Sequence, residues 1–509
     1  LNSLYVDQLD NSALVEEAIR STLATLDPHS AYLPKEAMEE VEVEMEGEFS
    51  GVGIQYQINR DTITVNSTVV GGPAEGVGML PGDRIVRIDT LSAVGLKLNE
   101  VPKLLRGKQG SKVDLTVYRR GANELLHFTL TRDKIPLTTV DAAYMATPRV
   151  GYVKVNRFGR TTYEEFKEAY ERLGRPRRLI LDLRGNGGGL LDQAIALAEF
   201  FLPKGSLLLT TEGRIEPTQH YHARRDGEML TGRVAVLIDE TSASASEIVA
   251  GALQDWDRAT IIGRTSFGKG LVQRQIPLGD GSAMRITTSR YLTPSGRAIQ
   301  RPYEAGKRQE YYLDHLRGYA DSITDATPRY RSLNRGRVIY GGGGIRPDVE
   351  VKIDDLPNII YYLLNDDLPF DYATQYCIRH PQIAAAKDFT LTDADYAEFK
   401  AMAKKRGFTY DRQSEAVLKS LKEIAEFEGY LEDASEEFAA LEKKLTHNLD
   451  LELDRFSKEI RKALTEEIVK RYYYERGGVE YALKDSPELE KALEVLGTPE
   501  EYKRILAHP

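Results

Sequence analysis

The sequence has a single cysteine, Cys377, in 509 residues. An internal disulfide is thereby excluded, and a cysteine-ligated metal site has no second thiolate to draw on. Positive charge is in deficit: 68 Lys and Arg face 78 Asp and Glu, for a net charge of −10. That balance argues against a nucleic-acid partner, which calls for a basic face. No apolar run approaches the ~20 residues that a membrane-spanning helix needs. An initiator methionine is also missing, since the chain starts at Leu1, and an N-terminal signal or anchor is expected to have preceded it. What is present is an ordinary globular mixture, 41% hydrophobic and 29% charged. Its length calls for about three or four domains rather than one core.

The densest chemistry lies at residues 241–273, TSASASEIVAGALQDWDRATIIGRTSFGKGLVQ. This stretch follows the apolar run VAVLI at 234–238, which reads as a buried strand, and leads into a helical pattern over 247–255. A serine between a buried strand and a helix sits where backbone N–H groups point outward, a setting that suits anions. Downstream, Lys269 stands between Gly268 and Gly270, poorly placed for packing but well placed to reach into a site. One serine, one lysine and closely spaced glycines suggest a Ser-Lys nucleophile pair, with Ser242, Ser244 and Ser246 all available for the first role. Each half alone is a common packing or turn pattern; together, and with Gln273, they point to a site.

The same stretch resembles the carboxyl-terminal processing peptidases, or tail-specific proteases, whose core reads S-A-S-A-S-E-I followed by F-G-K-G-x-V-Q. The resemblance implies that Ser244 is the nucleophile, Lys269 the general base and Gln273 the residue that orients the lysine. It gives Glu247, Asp255 and Ser266 supporting places. Ser266 stands where many members carry threonine, and Asp239 where many carry asparagine. Upstream, DLRGNGGG at 182–189 matches the family's D-L-R-x-N-G-G-G. As a phosphate cradle this cluster has the wrong spacing and lacks the P-loop lysine. The resemblance instead implies an oxyanion hole made by the N–H of Ala245 and of a glycine, Gly188 ahead of Gly189. Such a donor is worth about 3–4 kcal/mol in the transition state. Further matches are LDPHSAYLP at 26–34, RYLTPSGRAI at 290–299 and GGGGIRPDV at 341–349. His29 falls in the first of these and is read as structural, because the family's chemistry uses no histidine.

Residues 48–133 change texture to short strands and glycine turns and resemble a PDZ domain. Phe49, Ser50, Gly51, Val52, Gly53 and Ile54 match the glycine-rich carboxylate-binding loop, MLPGDRI at 79–85 matches the following turn, and a helix is expected over 98–106. Exposed N–H groups in such a loop hold a peptide's terminal carboxylate, while the adjacent strand edge accepts the peptide as an added strand.

Elsewhere, Leu14, Ile19, Leu23 and Leu26 lie at roughly helical spacing before the breaker Asp27-Pro28. Strands are expected at 150–155, 179–183 and 282–289, helices at 163–173 and 191–201, and a basic, tyrosine-rich excursion at 300–338. His220 and His222 alternate in sequence but lack a third metal ligand, so a polar loop or exposed hairpin is expected there. In the tail, Phe438, Leu441, Leu445, Leu449, Leu453, Phe456, Ile460, Leu464 and Ile468 form a stripe at helical spacing, ended by YYY at 472–474 and Gly477-Gly478. That helix is either a dimerisation or lid module or a cap on the core.

The expected architecture is multidomain α/β: an N-terminal helical segment (1–46), an inserted PDZ domain (48–133), a serine protease core of the ClpP/crotonase-like spiral type (134–352) and a helical extension (353–509). The resemblance implies a serine endopeptidase that captures a free C-terminus on its PDZ domain and cuts nearby. The alternative is a PDZ-bearing binding or scaffold protein with an inactive core. No cofactor and no metal are expected. The expected partners are protein or peptide substrates and a second copy joined through the extension, in an extracytoplasmic, periplasmic or envelope setting.

Overall fold

The computed structural model describes residues 4–316, 327–353, 356–410, 413–445 and 448–507. The chain gathers into two units. The first comprises Leu1–Ser50, Lys134–Ile353 and Asp485–Pro509; the second, Gly51–Asp133 and Asp354–Lys484.

The first unit is built on a six-stranded sheet in the order Val140–Thr147, Val150–Val155, Arg178–Asp182, Arg233–Ile238, Thr260–Gly263, Val349–Glu350. The first pair is antiparallel and the others run parallel. Residues 234–238 are all buried, as a parallel strand covered on both faces must be. Helix Ala245–Asp255 is buried along its whole length, which its small Ala, Gly and Ser residues permit. Phe166, Phe200 and Phe201 pack edge to face beside the sheet, with Phe166–Phe200 centroids 5.2 Å apart. A second, antiparallel sheet joins Ala31–Leu33, Leu271–Pro277, Ala283–Leu292, Leu207–Gly213 and Gln219–His222.

The expected N-terminal helical segment is interrupted. Helices Asn11–Ala24 and Lys35–Glu46 flank the strand Ala31–Leu33, which pairs with Ala283–Leu292. The Asp27 carboxylate accepts the N–H groups of His29 and Ser30 at 2.8 and 2.9 Å, and this turn with Pro28 breaks the helix.

In the second unit, residues 54–131 form an antiparallel sheet with Ile54–Asn59 at one edge, paired among the described residues to Thr62–Thr68. Its core gathers Val52, Ile63, Val65, Ile85, Val101, Leu115 and Val117. The helices of 358–482 enclose a separate core of Ile359, Leu363, Tyr372, Phe399, Leu453, Ile460, Leu464 and Ile468. Of the tail stripe, Leu453, Ile460, Leu464 and Ile468 are buried and Phe456 partly so, but Phe438, Leu441 and Leu445 lie on a separate helix, Ser435–Leu445. Helix Ser457–Ala482 breaks at Tyr474, whose φ is 57°, and then resumes past the expected glycine stop.

The extension divides. Its last two helices, Pro487–Gly497 and Pro499–Ala507, belong to the first unit. The Tyr502 hydroxyl accepts the Val234 N–H at 3.1 Å and lies 3.2 Å from the carbonyls of Val234 and Arg258. These bonds, with the buried Leu496 and Leu506, fasten the chain's end to the parallel sheet.

Candidate active site

Where strand Arg233–Ile238 ends, Asp239 organises the turn. Its carboxylate accepts the N–H of Thr241 and Ser242 at 3.0 Å each and that of Gly185, across the loop, at 3.1 Å. All three N–H groups reach Oδ1, so a single acceptor oxygen, as in asparagine, would serve them; Oδ2 adds only a shared contact to Gly185 at 3.1 Å. Ser244 follows with φ 55° and ψ −111°, a conformation non-glycine residues seldom adopt, directly before helix Ala245–Asp255. The other two serines are committed elsewhere: Ser242 Oγ donates to the Leu183 carbonyl at 2.8 Å, and Ser246 Oγ to that of Asn186 at 2.9 Å.

Glu247, fully buried on the first turn of that helix, ties this turn to the lysine loop. Its carboxylate accepts Ser244 N–H at 2.8 Å, Ser266 Oγ–H at 2.5 Å, Gly268 N–H at 2.7 Å and Lys269 N–H at 2.9 Å. Burial pushes the carboxyl's pKa up, and these four donors oppose the rise. The Tyr291 hydroxyl lies 2.9 Å from the Lys269 carbonyl and 3.2 Å from that of Ser244, a second link between the two loops.

Lys269 Nζ donates to Gln273 Oε1 at 3.0 Å. Burial lowers the lysine's pKa, and the Arg285 guanidinium lowers it further, against the pull of Glu247 and Asp27. Arg285 reaches the same cavity because strand Ala283–Leu292 sets it two residues from Thr287, the partner of Gln273. The cavity is about 670 Å³, with Ser244, Lys269, Gln273, Tyr291 and Gly188 in its wall and Met45, Leu191 and Leu271 among its apolar lining. Among the described residues no hydrogen bond joins Ser244 Oγ to Lys269 Nζ.

The glycine loop lies against the serine. A Cβ at Gly188 would stand 2.8 Å from the Ser244 Cβ and 3.0 Å from the Ala245 nitrogen. The Gly188 N–H, however, donates to Asn186 Oδ1 at 2.9 Å, so the favoured oxyanion donor is engaged within its own loop. The Gly189 N–H forms no hydrogen bond among the described residues. Asp255 lies farther along the helix and forms a fully buried ion pair with Arg297, 2.7 Å, inside the RYLTPSGRAI segment. Ser266 accepts the Ile345 N–H at 2.6 Å while donating to Glu247.

His29 is buried beside Phe267, Tyr311 and Tyr312, its Nε2 3.3 Å from the Tyr311 hydroxyl. Burial first, then the charge of Lys269, lowers its pKa to about 4. His220 and His222 lie exposed on a hairpin strand, with His220 Nδ1 2.9 Å from Thr210 Oγ1. Of the expected peptide loop, Glu48–Gly51 is a strand paired with Asp133–Pro136; only Val52 and Gly53 precede the edge strand Ile54–Asn59 as irregular chain.

Sequence reasoning passed over Asn186, Arg285 and the double contact of Tyr291. The strand's period of two, counted from the partner of Gln273, could have indicated Arg285; the other two contacts carry no sequence signal.

A turn that sets a serine and a lysine into one cavity beside glycine amides is built for acyl transfer, and the class of this protein is a serine-type peptidase. Three family models match: "Peptidase family S41" over residues 149–305, "PDZ domain" over 50–130 and "Probable PDZ-protease, C-terminal helical domain" over 359–496. A carboxy-terminal-processing protease of Bartonella bacilliformis is 39% identical over 302 residues, 58% of this chain and 69% of that protein. A probable CtpA-like serine protease of Staphylococcus aureus is 35% identical over 398 residues, 77% of this chain and 76% of that one. Among solved structures, a photosystem II D1 C-terminal processing protease shares 27% identity over 70% of this chain and 86% of its own, with a TM-score of 0.37. The chain belongs to peptidase family S41, as a carboxy-terminal processing protease with a PDZ domain and a helical C-terminal domain.

Proposed function

We propose that the protein is a Ser-Lys endopeptidase that cuts protein chains near a free C-terminus held by its PDZ domain. The observation that carries this reading is the meeting of Ser244 and Lys269 in one cavity, with Lys269 bound to Gln273 and lowered in pKa by burial. Neutral Lys269 takes the Ser244 proton as Oγ attacks the scissile carbonyl carbon. The Ala245 N–H and a glycine N–H hold the oxyanion: Gly189, or Gly188 once turned away from Asn186. Collapse breaks the C–N bond, and the Lys269 ammonium returns its proton to the leaving amine. Water, deprotonated by Lys269, then attacks the acyl carbon; the ester C–O bond breaks and the lysine ammonium returns its proton to Ser244 Oγ.

Tail capture is supported by the edge position of Ile54–Asn59 and the positive φ of Gly53, 73°, at its start. The parallel strands and the helix behind Ser244 support a ClpP/crotonase-like spiral for the core. The extracytoplasmic, periplasmic or envelope location rests on the family resemblance, and cell fractionation tests it. Homodimerisation through the extension is supported by Val417, Leu421, Ile424 and Phe427, spaced along helix Gln413–Phe427 and exposed by 65%, 48%, 53% and 93%. A sedimentation coefficient unchanged by Ile424→Glu with Phe427→Glu removes that part.

The decisive experiment compares wild type, Ser244→Ala and Lys269→Ala on an unstructured protein with an apolar free C-terminus. Cleavage by wild type alone supports the dyad. Cleavage surviving Lys269→Ala sinks it and makes His29 the next base to test. A wild type that binds the chain without cutting it favours the binding-protein alternative.

A further inference from the structure

Glu488, at the start of helix Pro487–Gly497, is only 1% exposed, yet it takes part in no step above. Its carboxylate holds two guanidinium groups: Oε2 lies 3.0 Å from Arg184 Nη1, and Oε1 2.9 Å from Arg264 Nη1. Ser486 Oγ completes the arrangement, accepting from Arg184 Nη1 and donating to Glu488 Oε2, each at 3.0 Å. Arg184 immediately precedes the Gly185–Gly189 loop, and its other edge grips the fully buried Asp182, with Nη2 2.6 Å from Oδ2. Arg264 reaches the other way, its Nε 2.6 Å from the carboxylate of Glu240 in the serine turn.

One buried carboxylate from the chain's last segment therefore spans the loop carrying the glycine amides and the turn carrying Ser244. We propose that Glu488 is a positioning residue for catalysis: the C-terminal helix sets the spacing between the oxyanion donors and the nucleophile through the Arg184–Glu488–Arg264 bridge. The inference rests on the Ser-Lys reading. Arg184, Arg264, Glu240 and Glu488 all lie outside the cavity wall, so their effect falls on the geometry of reaction and not on contacts with substrate. Loss of the charge leaves two partly buried guanidiniums without their shared anion, which lets the two loops separate. Small displacements of reacting groups are costly in rate.

The test uses the full chain and the cleavage assay above. Glu488→Gln keeps the size and removes the charge. Leu496→Ala, a fully buried position on the same helix, loosens its packing without touching the bridge. Expected are a kcat about tenfold or more lower for Glu488→Gln with KM within about twofold, recovery toward wild type for Glu488→Asp, and a lower Tm but near-normal kcat for Leu496→Ala. A Glu488→Gln kcat within about twofold of wild type overturns the inference, as does an equal kcat loss in Leu496→Ala, which would mark the helix as a structural cap. A wild type lacking Ser244-dependent cleavage overturns the Ser-Lys reading itself, and this inference with it.

Discussion

Lys269 Nζ donates a 3.0 Å hydrogen bond to Gln273 Oε1, four residues on along the same chain. That bond occupies one direction around the amine and so restricts the lone pair of the neutral form to the two that remain. Gln273→Ala is expected to lower kcat by about ten- to a hundredfold, with little change in KM, as for loss of a group that orients a base. Steady-state kinetics at saturating substrate checks it; an unchanged kcat would mean Lys269 is held by other contacts.

Arg285 and Lys269 share the cavity wall, and the guanidinium is, after burial, the main influence keeping the lysine's pKa below its ordinary 10.5. On the Ser-Lys reading proposed above, activity requires the neutral amine, so kcat/KM rises with pH through that pKa. Removing the cation in Arg285→Gln raises the lysine's pKa, and the acidic limb of the profile moves to higher pH, with less activity at pH 7. An acidic limb that stays in place or moves down would show that another group titrates there.

Gly188 has φ 101°, and its Cα faces the serine so closely that a methyl group would stand 2.8 Å from the Ser244 Cβ. Gly188→Ala should abolish most cleavage, because the methyl group also meets the Ala243 carbonyl oxygen at 2.8 Å and so displaces the turn that carries Ser244. Circular dichroism alongside the cleavage assay separates this from unfolding. Normal turnover would show that the loop rests farther from Ser244.

His29 gives the fold a sensitivity to acid. Its pKa falls from 6.5 to about 4 through burial and the charge of Lys269. Its contribution to stability is whole above pH 6.5 and is lost as pH falls toward 4, where the unfolded chain binds a proton that the folded one refuses. The difference amounts to about 3 kcal/mol. Urea midpoints at pH 7 and pH 4.5 should differ less in His29→Gln than in wild type; an equal difference would place the acid sensitivity in other groups.

The sequence by itself determined the chemistry-bearing turns, because each is local. VAVLI followed by small residues dictates a buried strand running into a close-packed helix, and DLRGNGGG dictates a strand ending in a loop with room against a neighbour. The strand after Val52-Gly53 follows from the same short-range logic, whereas its place at the sheet edge does not. Tertiary structure decided whatever joins distant segments. Glu247 gathers donors from the lysine loop as far as 22 positions away, and Glu488 reaches Arg264 across 224. The Asp27-Pro28 turn let residues 31–33 leave the helical pattern and pair with strand Ala283–Leu292. The division of the tail at Asp485 was decided the same way. Helical spacing records that one face of a helix is buried but not which surface buries it; that choice follows from where a partner such as Arg184 or Val234 lies once the sheet has formed.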